Sequence, residues 1–319
     1  MTMKTELQPL SRVLLPVDSL EAFSRAIPLV GLLIRTMKIE AKHTDLLHVV
    51  AGSFLRDYMK SINIAAGEVP SQEDIHHLRK RYIDEVVTPL MSHAGELLRH
   101  EIAGLAPGAL MEDGDPVKTI SSVCQSGAYS TLVISRRNLA ERSDKLTGSV
   151  VAGVLHRHAE ATIYLVGDAP TPVGTSVFSR SLIGIDGSPA SKNAVREAGI
   201  LLSRVNNQIE KVFLVHVLDQ SCYYDEDGVT CIQAGTLGQQ ALEEAGNLLV
   251  AAGVDPAKIT PVIHFGKPGT ILAEEAIGCD ATLIFIGRRD RSRMAQVFLG
   301  SVCTDMIQNC RERTIILTS

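Results

Sequence analysis

The sequence predicts an α/β protein built from two tandem, doubly wound, five-stranded parallel-sheet domains. Three observations predict it: the chain repeats itself, each copy alternates short apolar runs with helical stripes, and one stretch reads as strand, basic turn and helix start in succession. That stretch is TLIFIGRRDRSRMAQVFLGS, from Thr282 to Ser301, and its earlier copy is TLVISRRNLAERSDKLTGS, from Thr131 to Ser149. The copies are in register, since 287 minus 135 and 300 minus 148 both give 152.

Each element follows from its residues. Thr282 to Ile286 is an unbroken apolar and β-branched run, the composition of a strand covered on both faces. Gly287 ends it, and after Gly300-Ser301 the spacing of Val302, Met306, Ile307 and Cys310 lays one stripe on a helix. First strands are predicted at SRVLLPVD, ending in Asp18, and SLIGIDGS, containing Asp186, an offset of 168. Ser188 and Pro189 suit a helix cap and first turn, whereas Pro28 in the first copy should kink its helix by removing a backbone donor.

Second strands run to Val50 and Leu218, with His48 and His216 again 168 apart. No nucleophile or carboxylate recurs beside both, so they read as packed side chains. The offset then drops to 152, so the first half carries sixteen extra residues, placed within Phe54 to Pro70. Ser71 opens a helical stripe reaching Leu97, paired with Thr236 to Ala252 in the second half. Third strands at Leu110 to Glu112 and Pro261 to His264 lead into glycine turns at Gly114 and Gly266, and last strands fall at Thr162 to Val166 and Thr314 to Thr318. DAPTPVGT, from Asp168 to Thr175, reads as a linker, giving domains 1–168 and 178–319 joined through 169–177.

Bulk properties narrow the function. A net charge of -5 and a pI near 6.1 argue against a nucleic-acid binder, so phosphate affinity has to be local. The beginning of the chain lacks a signal-like apolar core and no apolar run is long enough to span a bilayer, so a cytoplasmic location is expected. Cys124, Cys279, Cys303 and Cys310 sit in apolar segments and read as packing, while Cys222 and Cys231 flank an acidic loop without zinc-type spacing, so no metal site is assigned.

Parallel sheets bind ligands outside the carboxyl ends of their strands, at the point where strand order reverses. Asp186, Val217, Gly287 and Gly300 fall at or just after such ends, and a helix starting at Ser301 offers free N–H groups and a positive dipole end to a phosphate. These residues resemble the universal stress proteins in their tandem form. The resemblance rests on VDSL and IDGSPASKNA, on LLHVV and LVHVL, on GDPVKTI and GKPGTIL, and on the Gly-Ser unit after each fourth strand. It implies a Rossmann-like, adenine-nucleotide-binding fold whose two halves pack about a pseudo-twofold axis through their last strands as an intramolecular pseudo-dimer. Whether two chains then form a homodimer stays open.

The resemblance also implies ATP, with Mg²⁺, as the ligand. ATP-binding members carry Gly, two residues, Gly, nine residues, then Gly and Ser or Thr. Here the second half has Gly287, Asp290, Gly300 and Ser301, and the first has Ser135, Asn138, Gly148 and Ser149, so three of four loop glycines are replaced. Carried over by position, Asp186 and Val217 hold adenine and ribose, while Gly287, Asp290, Gly300, Ser301 and Val302 surround ribose and phosphates. The first-half counterparts are Asp18, Val49, Ser135, Asn138, Gly148, Ser149 and Val150. Asp290 places a carboxylate near the phosphates, which Mg²⁺ or the arginines Arg288, Arg289, Arg291 and Arg293 offset, unless those arginines form a solvated loop. Two readings remain open: a stress protein holding an adenine nucleotide mainly in its second half as a regulatory ligand, and a non-binding interaction module. An enzyme is not expected, because no nucleophile, base and orienting group recur as a set and the first-strand turns lack a Ser-Gly-Gly phosphate loop.

Overall fold

The computed structural model describes residues 9–55, 59–60, 71–136, 149–155, 157, 161–168, 176–220, 229–288 and 300–319. The first half runs β1 (Val13–Pro16), α1 (Leu20–Met37), β2 (Thr44–Val50), α2 (Gln72–Tyr82), a wide turn of helix (Ile83–Val87), α3 (Thr88–Glu101), β3 (Gly108–Asp113), α4 (Pro116–Ser126), β4 (Thr131–Ser135), α5 (Ser149–Leu155) and β5 (Thr162–Val166). The second runs β6 (Arg180–Gly184), α6 (Pro189–Leu202), β7 (Lys211–Asp219), α7 (Val229–Ala252), β8 (Ile259–Gly266), α8 (Pro268–Gly278), β9 (Leu283–Gly287), α9 (Ser301–Asn309) and β10 (Thr314–Thr318).

Local chemistry explains the boundaries. Ser19, Ser71 and Ser188 each accept a backbone N–H from three residues on, and at Ser71 the Asp74 carboxylate reaches back to complete a capping box. After the third strands, Gly114 and Gly266 sit at φ of 138° and 146°, a conformation that side chains resist. The helix expected over Pro28 forms as one element from Leu20 to Met37, with the proline inside it. Phe23, Ala26, Ile27, Val30, Leu33 and Ile34 are all buried from that helix, and this packing offsets one lost backbone bond. The insertion placed within Phe54 to Pro70 lies largely outside the described residues, as does the linker beyond Asp168.

Strand order is β3-β2-β1-β4-β5-β10-β9-β6-β7-β8, one ten-stranded sheet. Within each half all pairings are parallel, and β5 pairs antiparallel with β10, Ile315 against Leu165, Ile316 against Tyr164 and Leu317 against Ile163. The expected pseudo-twofold therefore runs through this seam. Both last strands are buried along their whole length. Their alternate residues feed two cores: Tyr164, Val166 and Ile316 face one helix layer with α1, α3, α6 and α7, and Ile163, Leu165, Ile315 and Leu317 face the other with α4, α5, α8 and α9. Each core passes unbroken from one half to the other. The first-half and second-half carboxyl rims consequently lie at opposite ends of the sheet.

The seam is not symmetric in chemistry. Glu197 on α6 is buried beneath β5, accepting from Tyr164 Oη at 2.8 Å and Thr162 Oγ1 at 3.3 Å. Its twin by the 168 offset is Leu29, and the twin of Tyr164 by the 152 offset is Ile316. Burial pushes the Glu197 carboxyl up to about 7, against the two hydrogen bonds that favour its charge. A carboxyl whose folded pKa is raised leaves stability intact below its unfolded value and erodes it as pH rises toward the folded value. Chemical denaturation of the full chain between pH 4.5 and 7 should therefore show a loss on the order of 3 kcal/mol that Glu197→Gln removes. Equal slopes in the two proteins would contradict a titrating Glu197.

Candidate functional site

The strand-order reversal of the second half lies between β6 and β9. Beyond β6, Ile185 N still donates to Val215 O at 2.8 Å, and the chain then turns at Asp186. Asp186 is exposed; its Oδ1 accepts from Ser188 N at 3.0 Å and its own N–H donates to Ser191 Oγ at 3.2 Å. The Ser191 hydroxyl in turn donates to Gly184 O at 3.4 Å, so the turn and the first coil of α6 are tied to the strand end. Both histidines noted in the sequence belong to this scaffold. His216 Nδ1 donates to Ile185 O at 2.7 Å and His48 Nδ1 to Val17 O at 2.8 Å, each clamping the residue before an aspartate.

β9 ends at Gly287 directly against α6. A Cβ there would collide with the backbone of Ala190 and Ser191. The glycine is needed for strand and helix to approach, and Gly287 is not among the positive-φ glycines. α9 opens beside the same strand end, with Cys303 Sγ 3.9 Å from Gly287 O. Gly300 is its N-cap at φ -55° and ψ 153°, with no side-chain hydrogen bond capping the helix. The first amides of such a helix have no acceptor within it. Among the described residues, a Cβ at Gly300 would meet nothing within 4 Å. Burial pushes the Cys303 thiol up to about 11, with the Arg288 charge opposing and the Asp186 charge adding, so these three groups are neighbours. Val217 and Val302 are half-buried and Ser301 is exposed.

In the first half, Asp18 is exposed after Val17, whose N–H donates to Leu47 O at 2.8 Å, and Val49 and Ser135 are half-buried at the ends of β2 and β4. α5 begins at Ser149, followed by half-buried Val150, and is seven residues long against nine in α9. Asn138, Gly148, Arg289 and Asp290 lie outside the described residues, as do Arg291 and Arg293.

The sequence reading of the repeated arginines needs correction at both copies that are described. Arg288 and Arg136 are each 8% exposed, so they form neither a solvated loop nor a cation set over the rim. Arg136 Nη1 donates to Ile307 O at 2.7 Å and Nη2 to Cys310 O at 3.5 Å, across the seam at the end of α9. Arg288 reaches the other way, Nη2 donating to Ala161 O at 3.3 Å just before β5. Each guanidinium thus reaches a backbone carbonyl of the opposite half. The signal was present in the sequence: an arginine immediately after the fourth strand, repeated at the offset of 152.

Fold and rim together define a duplicated, doubly wound α/β protein with an uncapped helix start at its second switch point. The description "Universal stress protein family" is that of the family model matching residues 178–317. The second half is a domain of that family, and the first half repeats its fold. A universal stress protein from Archaeoglobus fulgidus DSM 4304 superposes over 97% of this chain and 98% of its own, with a TM-score of 0.64 at 18% identity. Universal stress protein Sll1388 of Synechocystis is 24% identical over 150 residues, 44% of this chain and 97% of the relative. A universal stress protein solved in complex with cAMP is 24% identical, with a TM-score of 0.34 over 45% of this chain and 98% of its own.

The two rim glycines should respond differently to a methyl group. Gly287→Ala forces α6 off β9 and should cost about 1–3 kcal/mol in urea denaturation. Gly300→Ala, with open space around it and an ordinary φ, should cost less than about 1 kcal/mol. Equal costs would contradict the assignment of Gly287 to strand–helix packing.

Proposed function

We propose that this chain is a stress-response protein that binds ATP, with Mg²⁺, or a related adenine nucleotide at the carboxyl rim of its second half, as a regulatory ligand and not as the substrate of an enzyme. The observation that carries the reading is the start of α9 at Gly300, without a side-chain cap and, among the described residues, with open space around it, set against the end of β9. Unpaired amides at the positive end of a helix suit phosphate oxygens. Asp186, fixed in its turn by Ser188 and Ser191, presents an exposed carboxylate suited to adenine or ribose, with Val217 and Val302 as the apolar flank. Gly287, Arg289, Asp290 and Ser301 complete the proposed set by position. The first half, with its seven-residue α5 and Ser135 in place of glycine, is proposed as the weaker or silent site.

One observation favours the alternative of an interaction module. Arg288 is withdrawn into the seam, which takes one cation away from the phosphates. Titration calorimetry of the full chain with Mg-ATP separates the two. One nucleotide per chain is expected, weakened by Asp186→Ala. Gly300→Asp should give opposite changes in two readouts: its carboxylate caps α9 and raises stability by about 1 kcal/mol, while occupying the phosphate position and abolishing binding. No heat at millimolar Mg-ATP would leave the interaction module standing.

A further inference from the structure

α9 begins at the proposed phosphate position and ends under a residue of the other half. Nine residues at about 1.5 Å each make it a rod about 13 Å long, long enough to carry a displacement from one end to the other. Its N-terminal end carries no side-chain cap, and Cys303 in its first turn packs against Gly287 O at 3.9 Å. Its C-terminal end is held by Arg136, whose guanidinium lies over Ile307 O and Cys310 O, where the final carbonyls of a helix and its negative dipole end favour a cation. Arg136 is itself fixed: it is 8% exposed, and its own carbonyl accepts from Arg25 Nη2 at 2.6 Å on α1. Burial pulls the Arg136 guanidinium down to about 10 and the nearby Asp168 carboxylate draws it back, so it remains a cation at neutral pH.

Resting on the nucleotide reading of the second-half rim, we infer that Arg136, contributed by the first half, is a positioning residue for the phosphate site at Ser301: it sets the axial position of α9 from the helix's far end. Arg136 is also the first residue after β4, where the first-half loop toward Asn138 leaves the sheet. The two rims, at opposite ends of the sheet, are therefore joined through one guanidinium and one helix. The counterpart of Arg136, Arg288, donates to Ala161 O, between α5 and β5. A shift of Arg136 is therefore transmitted along α9 to the amides of Ser301 to Cys303, so the first half bears on occupancy in the second.

The test compares full-length parent, Arg136→Met, Arg136→Lys and the seam control Tyr164→Phe, below their unfolding transitions. Tyr164→Phe removes the hydrogen bond to Glu197 and weakens the seam without touching α9. Calorimetric affinity for Mg-ATP should fall about tenfold in Arg136→Met, within the usual span of coupling between sites. Arg136→Lys should recover part of the loss, and Tyr164→Phe should stay within about twofold of the parent. Unchanged affinity in Arg136→Met, or an equal loss in Tyr164→Phe, overturns the inference. Hydrogen exchange at Val302 to Thr304 in nucleotide-free protein is the second readout, with faster exchange expected in Arg136→Met alone. Should the parent bind no nucleotide, the functional reading fails on its own, and unchanged exchange in Arg136→Met then overturns the positioning role independently.

Discussion

The antiparallel pairing of β5 with β10 is the constraint on which the rest of the structure depends. Each half taken alone would end its sheet in a strand that is apolar on both faces and has one unpaired edge, a template for association. Joining the two edges removes both at once and lets the two cores run through the molecule without a break. It also dictates orientation. Because the seam is antiparallel, each carboxyl rim sits at the end of the sheet where the other half has its amino ends, and the carboxyl end of β4 comes to lie against the turn between α9 and β10.

A shared seam lets twin positions diverge, provided each buried polar group keeps its partners. Leu29 and Ile316 occupy one side as packed hydrocarbon, while Glu197, Tyr164 and Thr162 make a hydrogen-bonded group on the other. The amino ends of the strands show the same divergence. In the first half Asp45 accepts from Tyr129 Oη at 2.7 Å, with Arg12 lying 4.4 Å from the Tyr129 ring centroid. At the corresponding positions the second half has Phe213, Ala281 and Arg180, and Arg180 turns outward to Glu210. Each arrangement draws its partners from its own half, so neither half constrains the other there.

What could be read in the sequence was whatever depends on period and spacing. The duplication, the strand order expected of its alternation, the caps at Ser71 and Ser188 and the reach of the last strands are local or additive properties, and they appear where expected. The role of the arginines could not be read that way. Arg136 and its acceptor Ile307 are 171 residues apart, and nothing in the periodicity of either segment says that they meet. Pro28 shows a related split: its local cost is readable, but the burial that keeps the helix whole around it is contributed by the core.

The same distinction bears on the missing loop glycines. Counted as sequence, three replacements out of four suggest that nucleotide capacity is nearly lost in both halves. The geometry gives the glycines unequal jobs. Gly287 is required because β9 and α6 touch backbone to backbone, so the serine at the matching place, Ser135, bears on strand–helix packing in the first half before it bears on an empty site. The proposed phosphate contact depends instead on N–H groups at a helix start, which any residue except proline supplies. The described difference between the halves lies at the helix that follows the loop: α9 starts at Gly300 without a side-chain cap and is held at its far end by Arg136. On the proposed reading, the anion site depends less on the loop glycines than on the helix behind them being uncapped and anchored from the other half.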